Sequence, residues 1–192
     1  MVNGETTSNA LLGLLSIEPM SGYDMRQLIS ESIGYFWSES YGQIYPALRR
    51  LAAEGLVAKK TERTKGKPDR PVYSLTAAGR KRLRGWLSTP VAETVARDEL
   101  LLKMFFGAHA AAGVNREHVR ESMAKHEAAL KTYAAMAKQL RKEHAGDPQL
   151  PFWLMTLNRG RHDSMAAIKW CRETLEDLER MELERLEFKG KS

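Results

Sequence analysis

The hydrophobic spacing of this 192-residue chain changes character at Pro90. Before it, apolar residues come in short groups separated by Pro, Gly and Ser, the pattern of short helices and strands. After it, two long stretches keep one apolar face over many turns. The change predicts a mainly α chain with two parts, a mixed one at 1–90 and an all-helical one at 91–192. The length suffices for two small cores.

In the first part, NALLGLLSI at 9–17 places Leu11, Leu12, Leu14 and Leu15 on one broad helical face, ending near Pro19. Ser21 with Asp24 starts a second helix whose Met25, Leu28, Ile29 and Ile33 follow helical spacing to Gly34. Ser40 and Gln43 form an S-x-x-Q capping box, so a third helix begins at Tyr41 and ends at Gly55. LVAKKTERT and VYSL read as two strands joined by the turn KGKPDRP. Thr76 caps a fourth helix with Leu83 and Trp86 inward. Three helices followed by a two-stranded hairpin make a winged helix-turn-helix.

The third helix carries Gly42 and Pro46, both unfavourable in a helix interior. With Ile44 at zero and about 100° per residue, Leu48 and Leu51 fall within about 40° of it. The opposite side presents Gly42, Pro46, Arg49 and Ala53, flanked by Gln43, Tyr45 and Arg50. Gly42 lies four residues before the proline ring, which presses on its carbonyl. A side-chain-poor outward face lets a backbone approach another surface closely, and a DNA major groove admits an α-helix. Ser40, Tyr41, Gln43, Tyr45, Pro46 and Arg49 are therefore expected to meet DNA.

Charge supports this. Residues 59–84 hold ten Lys or Arg against two Asp or Glu, which accounts for the net charge of +6. Arg63, Lys65, Lys67 and Arg70 cluster around the hairpin turn, as expected for a wing lying on phosphates or entering a minor groove.

LLGLLSIEPMSGYDMRQLI, SYGQIYPALRRLAAEGLV and VYSLTAAGRKRL together resemble the N-terminal domain of PadR-like transcriptional regulators. Gly-x-Ile-Tyr-Pro-x-Leu from Gly42 to Leu48, with Gly55 after it, carries the resemblance most specifically. RDELLLKMFF followed by two long helices is similar to the C-terminal dimerisation domain of the longer members. The resemblance implies a homodimeric winged-helix regulator, usually a repressor, on palindromic double-stranded DNA. In some members a small aromatic or amphipathic ligand releases the DNA. The recognition-helix role carries to Gln43, Tyr45, Pro46 and Arg49, and the wing role to Lys65, Lys67 and Arg70.

In the second part, Asn115 is placed to cap a helix running to about Glu143. Its Val119, Met123, His126, Leu130, Tyr133, Ala137 and Leu140 alternate spacings of four and three, a heptad seam. A last helix from about Phe152 to Leu186 sets Met165, Ile168, Cys171, Leu175, Leu178 and Met181 on one side. These two faces are expected to form the dimer contact. His126 reads either as a register-setting polar residue or as a pH-sensitive contact. Cys171 reads as a small core residue or a redox thiol. Trp153 and Trp170 are candidates to line a ligand cavity.

Two other classes compete. One is a helical interaction module without specific DNA binding. The other is a metal- or thiol-dependent enzyme, disfavoured because no two histidines have metal-ligand spacing and no nucleophile has an evident base. No metal or other cofactor is expected. One cysteine, no basic leader and no apolar run long enough to span a bilayer point to a cytoplasmic protein.

Overall fold

The computed structural model describes residues 2–62, 70–92 and 97–190. The chain divides into two compact units, Met1–Glu93 and Thr94–Ser192.

In the first unit, helix α1 (Val2–Ile17) starts earlier than its apolar spacing suggests. Strand β1 (Met20–Ser21) follows, then α2 (Gly22–Leu28) and a π-helical turn at Ile29–Ile33. Helix α3 (Tyr41–Ala53) leads into strands β2 (Val57–Glu62) and β3 (Arg70–Leu75), and α4 (Ala77–Leu87) closes the unit. Leu11, Leu12, Leu14 and Leu15 of α1 pack with Met25, Ile29, Ile44, Ala47, Leu48, Leu51, Val57 and Tyr73 in one core. Each buried Leu, Ile, Val or Met side chain among them stabilises the unit by roughly 1.5–3 kcal/mol through removal from water.

Three details depart from the sequence reading. The hairpin is part of a three-stranded antiparallel sheet of order β1-β3-β2, with Met20 opposite Tyr73 and Ser21 opposite Val72. A two-residue strand has too few positions to show an alternation. The second helix widens into a π turn before Gly34. There the Ser30 hydroxyl donates to the Gln27 carbonyl at 2.7 Å and that of Ser32 to the Leu28 carbonyl, competing with the regular ladder. Trp86, expected inward, is 38% exposed, whereas Leu83 packs against the core.

Helix ends follow local chemistry. Gly55 takes φ +68°, and Leu56 N–H and Gly55 N–H donate to the carbonyls of Leu51 and Ala52, the paired bonds of a Schellman stop. Thr76 Oγ1 accepts from Gly79 N–H at 3.1 Å and lies 2.9 Å from the Leu56 carbonyl, to which it donates. This clamps α4 onto the start of β2.

In the second unit, Asp98 caps α5 (Glu99–Phe105), accepting from Leu101 N–H at 3.0 Å. A 3-10 turn (Gly107–His109) precedes the antiparallel helices α6 (Val114–Glu143) and α7 (Leu150–Gly190). Asn115 does not cap α6. Gly113, at φ +81°, holds that position, and Asn115 Nδ2 instead donates to the Gly107 carbonyl at 2.8 Å.

The heptad seam finds its partner inside the chain. Val119 is fully buried and Met123, His126, Leu130, Tyr133, Ala137 and Leu140 are half-buried. They share the α6–α7 packing with Leu157, Ser164, Ile168 and Cys171, all buried, and with half-buried Leu175 and Leu178. Within one chain, then, the seam of α6 is faced by α7. Six connecting residues bring α7 back along α6 before any second chain is needed. His126 Nδ1 lies 3.2 Å from Ser164 Oγ, so the seam's polar residue is matched within the pair. Cys171 is a core thiol that burial pushes above its ordinary range, opposed by a hydrogen bond with Ser122.

A Cβ at Gly79 would lie 2.1 Å from the Leu56 carbonyl oxygen, whereas one at Gly85, in the same helix, meets nothing within 4 Å. We expect Gly79→Ala to destabilise the protein by about 3 kcal/mol or more and Gly85→Ala to stabilise it by up to about 1 kcal/mol. Urea denaturation of the two variants side by side checks this.

Candidate nucleic-acid interface

The interface is built from one capped helix laid on another. Ser21 N–H donates to Asp24 Oδ2 at 3.1 Å, and Ser21 Oγ accepts from Asp24 N–H at 3.3 Å, closing a full capping box at α2. Arg70, at the root of the hairpin, donates from Nε and Nη2 to Ser21 Oγ at 3.0 and 2.8 Å and pairs with the Asp24 carboxylate. Burial pushes the Asp24 carboxyl upward. The hydrogen bonds from Ser21 and the Arg70 charge outweigh it and hold the group below its ordinary 3.8. The guanidinium of Arg70 therefore serves the protein itself.

At α3, Ser40 N–H donates to Gln43 Oε1 at 2.9 Å and Ser40 Oγ to the same oxygen at 2.8 Å. The carbonyl end of Gln43 is thus held, and its amide end is left for an outside acceptor. Ile44, Ala47, Leu48 and Leu51 are buried, so the inward stripe includes one residue more than the sequence reading named. Tyr41, Gly42, Gln43, Tyr45, Pro46 and Arg49 are all exposed.

Pro46 does not break the helix, which runs thirteen residues through it. Proline supplies no N–H for the Gly42 carbonyl, and both residues sit on the wet side. A Cβ at Gly42 would meet only Ser40 Oγ at 3.6 Å, an ordinary contact. Nothing within the protein requires glycine there.

Arg50 turns away from this face. Its Nη2 donates to the Gly4 carbonyl and to Ser8 Oγ, both at 2.8 Å, tying α3 to α1. The Tyr45 ring is set by its neighbours. A Cβ on Gly22 would lie 2.8 Å from Tyr45 Cε1, so α2 and α3 approach closely at that point. Beneath lies buried Tyr73, whose phenol is raised by burial and by nearby Tyr45, with Arg49 opposing. Tyr23 of α2 stacks on Tyr41 (6.4 Å between centroids, 13° between planes), and Tyr41 on Tyr45 (6.0 Å, 21°). Tyr23 escaped the sequence reading because it belongs to a different helix from the other two rings. Lys59 and Lys60 of β2 are also exposed.

The structure leaves Ser40, Tyr41, Gln43, Tyr45, Pro46 and Arg49 exposed along α3 and seats Arg70 against the α2 cap. Arg63, Lys65 and Lys67 lie outside the described residues. In the second unit, Trp153 packs edge-on against His144 (5.1 Å, 81°). Trp170 stands seventeen residues further along α7, roughly 25 Å away at helical rise. The two rings do not meet within one chain. Among the described residues no helix is long and apolar enough to cross a membrane.

Comparison with known proteins agrees with this geometry. Residues 11–85 match the transcriptional regulator PadR-like family, and residues 96–179 match the virulence activator alpha C-terminal family. The negative transcriptional regulator PadR of Bacillus subtilis is 40% identical over 99 residues, covering 50% of this chain and 54% of that protein. The chain thus aligns with about half the length of the curated relatives it matches. The crystal structure of Bacillus subtilis PadR in complex with operator DNA superposes with a TM-score of 0.75 at 28% identity, covering 89% of this chain and 98% of that one. The Vibrio cholerae virulence activator AphA superposes with a TM-score of 0.70 at 29% identity, covering 91% and 99%. The chain therefore carries a PadR-like transcriptional regulator domain, the winged helix-turn-helix, followed by a virulence activator alpha C-terminal domain built on the long helical pair.

Proposed function

We propose that the chain is a homodimeric repressor that docks the outward face of α3 in the major groove of a palindromic operator in the cytoplasm. The observation that carries this is Gly42: the residue is bare on a face where nothing internal requires it. The operator complex of Bacillus subtilis PadR supports the same partner. Gln43, Tyr45 and Arg49 read or flank bases, Ser40 and Tyr41 reach the groove edge, and Pro46 keeps the helix surface smooth. Arg63, Lys65 and Lys67 supply phosphate contacts. Arg70 acts one step back, holding the hairpin root to α2. The chain performs no catalysis in this reading.

The dimer contact is assigned to apolar side chains that α6–α7 pairing leaves exposed. On α5 and just beyond it these are Leu101, Leu102, Phe105 and Phe106, between 50% and 81% exposed. Such a patch on one short helix marks an association surface. The complex of Bacillus subtilis PadR with p-coumaric acid supports a small aromatic ligand that releases the DNA.

Gly42→Ala is the discriminating test. The fold should hold or gain about 0.5–1 kcal/mol, while affinity for a duplex taken from upstream of the chain's own gene falls at least tenfold. Unchanged affinity removes α3 from the groove. Arg49→Ala should relax discrimination between that duplex and a scrambled one. Lys67→Ala should weaken both equally and lower the salt slope by about one. Gel-shift titration at two salt concentrations reads all three. In sedimentation, the double variant Leu102→Glu, Phe105→Glu should run as a monomer with an unchanged helical spectrum. Persistence of the dimer would move the contact elsewhere.

The Asp24 pairing sets a pH dependence. A carboxyl held below its unfolded value contributes stability that is full above pH 3.8 and is lost as pH falls through the folded value. Thermal melts between pH 6 and pH 3 should show Asp24→Asn less stable than the wild type at the upper end and the difference narrowing at the lower.

A further inference from the structure

The proposed docking face is wider than the recognition helix. Tyr23, Tyr41 and Tyr45 form a row of three nearly parallel rings at 6.4 and 6.0 Å, drawn from two helices. Their exposures are 57%, 44% and 38%, so the row emerges from the protein toward Tyr23. Three large rings left in water at the edge of a small domain are a contact surface in waiting. Tyrosine suits the task because only two torsions are immobilised on binding.

The row is held in place. Gly22 admits the Tyr45 ring against the α2 backbone, and Tyr45 in turn backs Tyr41. Tyr23 adjoins Asp24, whose negative charge would repel a phosphate. That charge is matched by Arg70 and absorbed in the α2 cap. In helix-turn-helix proteins the helix before the recognition helix crosses the sugar-phosphate backbone while its partner lies in the groove. Tyr23 stands on the exposed first turn of that preceding helix.

We infer that Tyr23 is a further DNA-contacting residue, its phenolic hydroxyl donating to a backbone phosphate at the edge of the groove that α3 enters. The assignment rests on the docking proposed above and extends it to α2. A hydroxyl-to-phosphate bond carries no sequence information and, being neutral, displaces no condensed counterion. It therefore has a signature that a lysine contact lacks.

The test compares the full-length wild type with Tyr23→Phe and Tyr23→Ala by fluorescence anisotropy, using a labelled mixed-sequence duplex over a range of salt. Tyr23→Phe should bind about fivefold more weakly, with the slope of log affinity against log salt unchanged and the thermal melt superimposable on wild type. Tyr23→Ala should lose at least as much. Wild-type affinity in Tyr23→Phe, or a changed salt slope, overturns the assignment and leaves the α3 docking standing. Failure of the wild type to bind duplex DNA overturns both.

Discussion

The N-terminal unit depends on how narrow the buried stripe of α3 is. Ile44, Ala47, Leu48 and Leu51 carry the attachment of that helix to the core. Because four side chains on one line suffice for burial, the rest of the helix surface stays exposed, apart from the ties that Arg50 makes to α1 and the Tyr45 ring to α2. A wider apolar stripe would need more cover and would draw Tyr45 or Arg49 inward. The outward face can therefore hold a glycine and a proline, which weaken a helix, because apolar burial on the inward line offsets them.

The helix before it plays the complementary part. Ser21 closes the last pair of a short strand, caps α2 and accepts from Arg70. One hydroxyl and one carboxylate thus join the sheet, the α2 terminus and the hairpin root. Gly22, immediately after, lets the Tyr45 ring seat against α2. The α2 cap and its bonds to Arg70 lie outside α3, so replacing α3 residues alone would leave that part of the frame in place.

The C-terminal unit shows how connection length decides what a heptad pairs with. The periodicity of α6 specifies a helical partner without naming it. With only 144–149 between the helices, α7 is always present at high effective concentration, so the seam closes within the chain. Side chains off the seam, Phe105 at 81% exposed foremost, are then left to meet other surfaces.

Sequence alone determined the features whose physics is local. Capping residues at 21, 40 and 76, the left-handed stop at Gly55, the strand pair and the buried line through Ile44 all arise from side chains within a turn or two of each other. Position 46 shows the same logic, since helical geometry puts it opposite Ile44 whatever surrounds it. Tertiary structure decided the features that depend on who arrives next. The strand at Met20 exists because β3 is there to receive it, and Arg50 faces α1 because the Gly4 carbonyl and Ser8 hydroxyl lie within its reach. Arg70 is drawn to Asp24 across forty-six positions, and Tyr23 joins Tyr41 only where two helices cross. No spacing rule along the chain encodes such meetings, because they are set by packing between elements rather than by the period within one.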